Sequence, residues 1–377
     1  MAAKHWSETQ EKTNTAGISL LLTVFRLGGR TLFHLSLWPV IVFYWLVSPT
    51  ARCASRLYLD HVARTKKEPR PGCLATLKHI WRFADTILDK LLAVSGFFTA
   101  KDLAVEGVPE LLADPRGAII ITAHTGCQEL CQFIGETELE KSEATKNRLV
   151  YVLTHTAHAA RFTEVVSKLN PKFAVRHLQV TDVGPQTAVQ MSEIIEAGHW
   201  IVIVADRTPI GSSACVRVPF LGEEAPLALG PFLLATLLKC SAWSMICTRE
   251  TEPQSAARYR VSFTRIYDGV PVARAKRSQT LSAMANAWVR TLESRLLKSP
   301  YDWFNFFDFW HPAQSRLAQK SRRPQAQQNQ STANDADLSE LIHLSLTHAE
   351  FRGLSLKWAA SLKREFSPAP SRRAFDI

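Results

Sequence analysis

The chain has 377 residues, is 46% hydrophobic and 21% charged, and carries a formal charge of +11 at pH 7. That length buries a substantial core in a few domains at most, and that hydrophobic share excludes a multi-span transporter while allowing some membrane contact. The excess of cations asks for an anionic counterpart: nucleic acid, lipid headgroups or an acidic protein.

The first marked element is TLFHLSLWPVIVFYWLV, residues 31–47, seventeen residues without a formal charge, between Arg30 and Arg52. It stands at the short edge of a membrane span, and Pro39 is expected to kink it. A buried core helix is the competing reading. A signal peptide fits poorly, because the apolar stretch comes late and aromatic residues crowd the end where small ones guide cleavage. Residues 51–82 hold eight Lys or Arg and two acids, which places that flank in the cytoplasm. The expected organisation is an anchor or interfacial region at 1–55, a body at 56–312 and a polar linker and tail at 313–377.

Residues 73–96 space Leu74, Leu77, Ile80, Trp81, Ala84, Leu88 and Leu91 as a helix. From residue 117 the pattern changes to short runs rich in Val and Ile: GAIIITAH (117–124), RLVYVLTH (148–155), FAVRHLQV (173–180) and HWIVIVAD (199–206). Most lack alternation, as strands covered on both faces do. Helices are expected at 126–135, 159–169, 184–198 and 226–240, strands at 242–249 and 259–266, and a long helix at 278–298. Alternating strands and helices predict an α/β body with a largely parallel central sheet flanked by helices. Past His311 the chain turns polar and Gln-rich, reading as a linker, with amphipathic helix potential at 337–366.

Seven Cys are scattered through apolar segments at 53, 73, 127, 131, 215, 240 and 247, which predicts reduced, mostly buried thiols. The spacing of His124, Cys127 and Cys131 offers too few ligands for a metal centre, so none is expected. No glycine-rich nucleotide fingerprint occurs and no cofactor is expected.

The chemistry-bearing stretch is ITAHTGCQEL, residues 121–130. With 12 His and 34 acids, roughly one H-x4-D/E match arises by chance, and two occur, His124 with Glu129 and His177 with Asp182. His177 sits inside an expected strand. His124 stands at the carboxyl end of one, where α/β sheets open their ligand crevices, and Glu129 falls in the first turn of the expected helix. A carboxylate there fixes the imidazole tautomer for proton abstraction from a hydroxyl. The structural alternative is a capping box, Thr125-x-x-Gln128, with an acid in the first turn. Further on, Asp206-Arg207 end another strand at the same edge, and Arg207 suits a phosphate or carboxylate. Val218–Gly222 and the 226–240 segment read as the wall of an apolar slot.

The order of these segments resembles the lysophospholipid acyltransferase superfamily, in particular its bacterial late lipid A acyltransferase branch. The resemblance rests on AHTGCQE (123–129), THTAHAARF (154–162), GHWIVIVADRTPIG (198–211) with VPFLG (218–222), and SPYDWFNFFDFW (299–310), and spans about residues 4–311. It implies a glycerolipid acyltransferase-like fold, His124 as general base with Glu129 as its partner, and substrate binding by Arg161, Asp206, Arg207, Gly211, Pro219 and Phe220. It also implies acyl carrier protein or another acyl-thioester as donor, a lipid or glycolipid hydroxyl as acceptor, and a body on the cytoplasmic side of a bacterial inner membrane. Both the acidic carrier and an anionic bilayer suit the basic charge. Cys127-Gln128 departs from the Asn-Trp frequent in the lipid A branch, and residues 313–377 have no counterpart there; these departures bear on the acceptor more than on the reaction. Two other readings stand beside it: an ester or thioester hydrolase using the same pair, and a non-enzymatic basic membrane-binding protein. Nucleic acid is disfavoured, because most aromatics lie in apolar segments instead of alternating with cations.

Overall fold

The computed structural model describes residues 15–94, 97–130, 147–154, 175–179, 185–207 and 215–311. Its helices are α1 (Thr15–Val47), α2 (Pro49–Lys66), α3 (Cys73–Val94), α4 (Val108–Leu112), α5 (Pro185–Glu196), α6 (Gly230–Leu237) and α7 (Arg277–Lys298). The strands are β1 (Leu103–Glu106), β2 (Ala118–Thr122), β3 (Val150–Thr154), β4 (Val175–Gln179), β5 (Trp200–Val204), β6 (Cys215–Phe220), β7 (Glu223–Ala228), β8 (Ser241–Arg249) and β9 (Tyr259–Tyr267).

Seven strands form one sheet in the order β1-β9-β8-β2-β5-β3-β4. The block β8-β2-β5-β3-β4 is parallel throughout, β9 pairs antiparallel with β8, and β1 runs parallel to β9. The expected largely parallel sheet is therefore present. All five residues of β2 are buried. Ile119 and Ile121, with Ile201 and Ile203 of β5, belong to one core shared with α5, α6 and α7; Ala118 and Ile120, with Trp200 and Val202, belong to a second core shared with α1, α3 and α4. Two apolar faces explain why these strands read as continuous runs. The Trp288 indole of α7 donates to Ile121 O at 3.0 Å, fixing that helix on the central strand.

Several expectations need correction. The apolar stretch from 226 does not begin as a helix: Pro226–Ala228 close the β6–β7 hairpin and α6 starts at Gly230. The helix expected at 126–135 begins as a short 3₁₀ turn, Gln128–Leu130, and residues 131–135 and 159–169 lie outside the described residues. Of the cysteines described, Cys53 and Cys73 are exposed while Cys127, Cys240 and Cys247 are buried. Helix α2 runs continuously through residue 55, and its Tyr58, Leu59 and Val62 sit in the first core.

Helix α1 breaks at Gly28-Gly29, where Gly29 adopts φ 63°, and Pro39 is carried inside the helix that follows. The segment Leu27–Val47 is long and apolar enough to cross a membrane, by length and composition. One side of it, Phe33, Leu37 and Ile41, packs with Ile80 and Leu88 of α3 in the second core. The remaining surface, including Leu35, Val40, Phe43 and Leu46, is exposed.

Charge stitches α1 to the body. Arg30 and His34 donate to Asp85 of α3 at 2.6 and 2.8 Å, and Arg30 also pairs with Asp89. From the sheet side Asp89 accepts from Arg249 (3.0 Å), Arg258 (3.0 Å) and the Tyr259 hydroxyl (2.7 Å), while Arg249 also pairs with Asp85. Burial alone would raise the Asp85 carboxyl, but Arg249, His34 and Arg30 hold it down to about 2. Asp89 is fully buried, and removing one partner of such a network strands the cations it neutralised. Asp89→Ala should therefore cost about 3–5 kcal/mol, lowering Tm by roughly 10 °C. Glu106→Ala, at the surface pair with Arg260, should cost under about 1 kcal/mol. Thermal unfolding of both variants checks the contrast.

Candidate active site

The register of β2 on β5 builds the centre of the site. Thr122 is paired with Val204, the last residue of each strand, and Ala205 N donates to Thr122 O at 2.9 Å. Two residues beyond that pair the chains present His124 and Asp206 side by side. The His124 ring donates from Nδ1 to Asp206 Oδ1 at 2.6 Å, and its backbone N donates to Oδ2 at 2.9 Å. The Trp303 indole supplies a third donor to Oδ2 at 2.8 Å.

Trp303 belongs to a segment without regular structure, Ser299–His311, that crosses the carboxyl edge of the sheet. Thr125 forms an isolated antiparallel bridge with Trp303, Phe304 N donates to His124 O at 2.8 Å, and Gly126 N donates to Asp302 O at 2.9 Å. The approach is close enough to require a glycine: Gly126 has φ +47°, and a Cβ there would stand 2.6 Å from Cys247 O. The strap is pinned at its start by Asp302, which accepts from Arg249 N and Ser299 Oγ, both at 2.6 Å. Its aromatic residues anchor the rest, with Trp303, Phe309 and Trp310 packed around Phe220.

Asp206 is fully buried. Burial by itself would raise its carboxyl, but His124 and Arg207 hold it below the usual carboxylate range. An ionised carboxylate only accepts, so His124 Nδ1 carries its proton and the ring's lone pair lies on Nε2. Burial also pushes the imidazole below its ordinary value; Asp206 pulls it back up and Arg207 pushes it down again. The net direction leaves His124 uncharged at neutral pH, the form that takes a proton. Its side chain remains 24% exposed, against 0% for Asp206, so the histidine is the more open member of the dyad. Arg207 is lowered by burial to about 10, partly offset by Asp206, and so keeps its charge at neutral pH. It is held by Asn305 Oδ1 (3.2 Å), Phe304 O (3.4 Å) and the face of Phe307, 4.7 Å from the ring centroid.

The structure thus brings His124, Asp206 and Arg207 together. Both oxygens of Asp206 accept from protein donors, Oδ1 from the His124 ring and Oδ2 from the His124 backbone and the Trp303 indole, so it holds His124 in place. The Glu129 backbone lies in the 3₁₀ turn after His124, while its side chain, like Arg161 and Gly211, lies outside the described residues. Phe220 is buried against the Trp303 ring, one layer behind the dyad, and Pro219 is exposed on the hairpin. The capping box does not form: Gln128 Nε2 donates to Thr122 Oγ1 at 3.1 Å, and Thr125 Oγ1 has no hydrogen-bond partner. Sequence reasoning gave no role to Trp303 or Asn305. No group of three or more metal-ligating side chains occurs among the described residues. Comparison with known proteins finds no matching family model and no matching curated protein.

Asp206→Asn keeps the shape of the carboxylate and removes its charge. His124 then loses the influences that raise its pKa, so it titrates at still lower pH, and the tautomer with a lone pair on Nε2 is no longer enforced. We expect turnover to fall about 10²–10⁴-fold, with the acid limb of the pH–rate profile moved to lower pH. A pH series on the wild type and the variant reads both effects.

Proposed function

We propose that the chain is a membrane-associated acyltransferase that moves a fatty acyl group from a thioester donor to a hydroxyl of a lipid or glycolipid. The observation that carries this reading is the His124–Asp206 dyad at the carboxyl edge of a parallel sheet, with an uncharged imidazole that is partly open beside a buried cation. A dyad of this kind lifts a proton from an attacking hydroxyl, and water is the competing nucleophile. The segment order of the late lipid A acyltransferase branch supplies the substrate class, and the charge of +11 suits an acidic acyl carrier protein and an anionic bilayer. The exposed apolar face of α1 supplies the membrane contact, with the body on the cytoplasmic side of a bacterial inner membrane by the charge of residues 51–82.

In the proposed reaction the acceptor oxygen attacks the thioester carbonyl carbon while its proton passes to His124 Nε2. The tetrahedral intermediate then collapses with loss of the donor thiolate, which takes the proton from the imidazolium. Asp206 stabilises that imidazolium and keeps the ring in place throughout. Glu129, in the turn that follows, remains a candidate second acid for this histidine.

The test supplies a long-chain acyl carrier protein thioester to the full chain in vesicles of mixed anionic lipid, with and without glycolipid. Acceptor-dependent appearance of a new ester is the expected result, and release of free fatty acid independent of acceptor would instead identify a hydrolase. His124→Ala should lower the rate about 10²–10⁴-fold, and Glu129→Gln should also cost much of the turnover. Unchanged turnover in His124→Ala removes the dyad from the mechanism.

A further inference from the structure

Asn305 is 2% exposed, and its amide is oriented by its neighbours. Oδ1 accepts from Arg207 Nη1 at 3.2 Å and from Phe307 N at 3.4 Å. Two donors facing one atom settle which end of the amide is oxygen, so Nδ2 points elsewhere. That Nδ2 is buried without a hydrogen-bond partner, and so is Arg207 Nε, although both Arg207 terminal nitrogens are engaged. Buried donors left unpaired are costly, and native proteins keep few of them without a reason. Others occur elsewhere in this chain, at Tyr58 and Arg148 for example, so an orphaned atom alone decides nothing. These two differ in their company: one adjoins Asp206 in sequence and the other extends from the strap that holds Asp206.

The strap's geometry aims them. Thr125 bridges Trp303 and Phe304 N bonds His124 O, so the strap runs extended alongside His124-Thr125. Along an extended run Trp303 and Asn305 share one side. The Trp303 indole on that side reaches Asp206, and the Asn305 amide reaches Arg207, the next residue. Two unpaired N–H groups, one of them on a cation, are therefore carried by the residue next to Asp206 and by its strap, in a setting closed to bulk water, where a hydrogen bond to a developing negative charge is strongest.

We propose that Asn305 Nδ2 and Arg207 Nε bind the oxyanion of the reaction. This rests on the acyl-transfer reading above and adds the groups that stabilise its intermediate. As the acceptor oxygen bonds to the carbonyl carbon and its proton goes to His124, the carbonyl π pair moves onto oxygen. The resulting anion accepts from both N–H groups. When the C–S bond breaks, the pair returns to the carbonyl and the two donors are released.

Asn305→Asp separates this role from simple support of Arg207. It keeps an acceptor facing Arg207 and Phe307 N and removes only the Nδ2 donor, placing negative charge where the oxyanion forms. The expected result, read on the pH plateau with the acyl carrier protein thioester, is a fall in kcat of about 10²–10³-fold with little change in KM. A kcat within about threefold of wild type overturns the proposal. Should Asn305→Asp fail the thermal-unfolding check, Asn305→Leu, which has similar bulk and no donor, takes its place with the same expected loss. A second measurement needs no turnover: octylphosphonate, whose tetrahedral anion stands in for the intermediate, is titrated calorimetrically into the full chain. Binding weakened at least tenfold by Asn305→Asp supports the cradle, whereas equal affinity in the two proteins, or no binding by wild type, overturns it. A wild type that is inactive on thioesters but binds the phosphonate through Asn305 would refute acyl transfer while sustaining the anion cradle.

Discussion

A single buried carboxylate organises the functional edge of this protein. Asp206 has no contact with solvent and accepts three hydrogen bonds, from the His124 ring, the His124 backbone and the Trp303 indole. An ionised acid in such a place is tolerated only when its lone pairs are met by donors. Here the donors come from β2's exit and from the strap near the end of the body, so satisfying one charge joins segments about a hundred residues apart. The same bonds choose the imidazole tautomer. Folding and chemistry therefore draw on one interaction.

A second buried acidic pair does comparable work for α1. Asp85 and Asp89 gather Arg30 and His34 from α1 and Arg249, Arg258 and Tyr259 from the sheet. The helix is thereby committed on one side to the body, through these ions and through Phe33, Leu37 and Ile41, while its other apolar residues stay uncovered. Such a helix differs from a free tether. Its position is fixed relative to α3 and to the sheet edge that meets the same carboxylates.

Much of the sheet could be read from the sequence, because each central strand is covered on both faces and so appears as an unbroken run of Val and Ile. The site was legible only in part. AIIITAH and WIVIVAD follow one template, five strand residues, an alanine and then a polar group. In a parallel pair with Thr122 opposite Val204, that template forces His124 beside Asp206. Local spacing instead drew attention to Glu129, five residues from His124, since a sequence displays i to i+5 directly and hides a register eighty-two residues long. The strap was quoted as a motif without a function because it has neither helical nor strand periodicity to orient its side chains. The 226–240 stretch misled for a related reason: an apolar run ending in a short buried helix looks the same whether its first residues are helix or hairpin.

The strap also explains why stability and activity are joined in this architecture. Trp303, Phe309 and Trp310 close the first core with Phe220, and their aromatic contacts hold the backbone to which Asn305 belongs. That backbone in turn fixes Arg207 through Phe304 O and Asn305 Oδ1, and fixes Asp206 through the Trp303 indole. A change that loosens the aromatic packing would therefore free the cation and the dyad together, before any reacting group is altered. Packing of this kind supplies what a catalytic edge requires, dipoles oriented in advance so that little reorganisation is left for the moment when charge develops. The polar groups beside His124 are held in place by a segment outside the regular sheet, whose extended run past His124-Thr125 sets Trp303 and Asn305 on one side, next to Asp206 and Arg207.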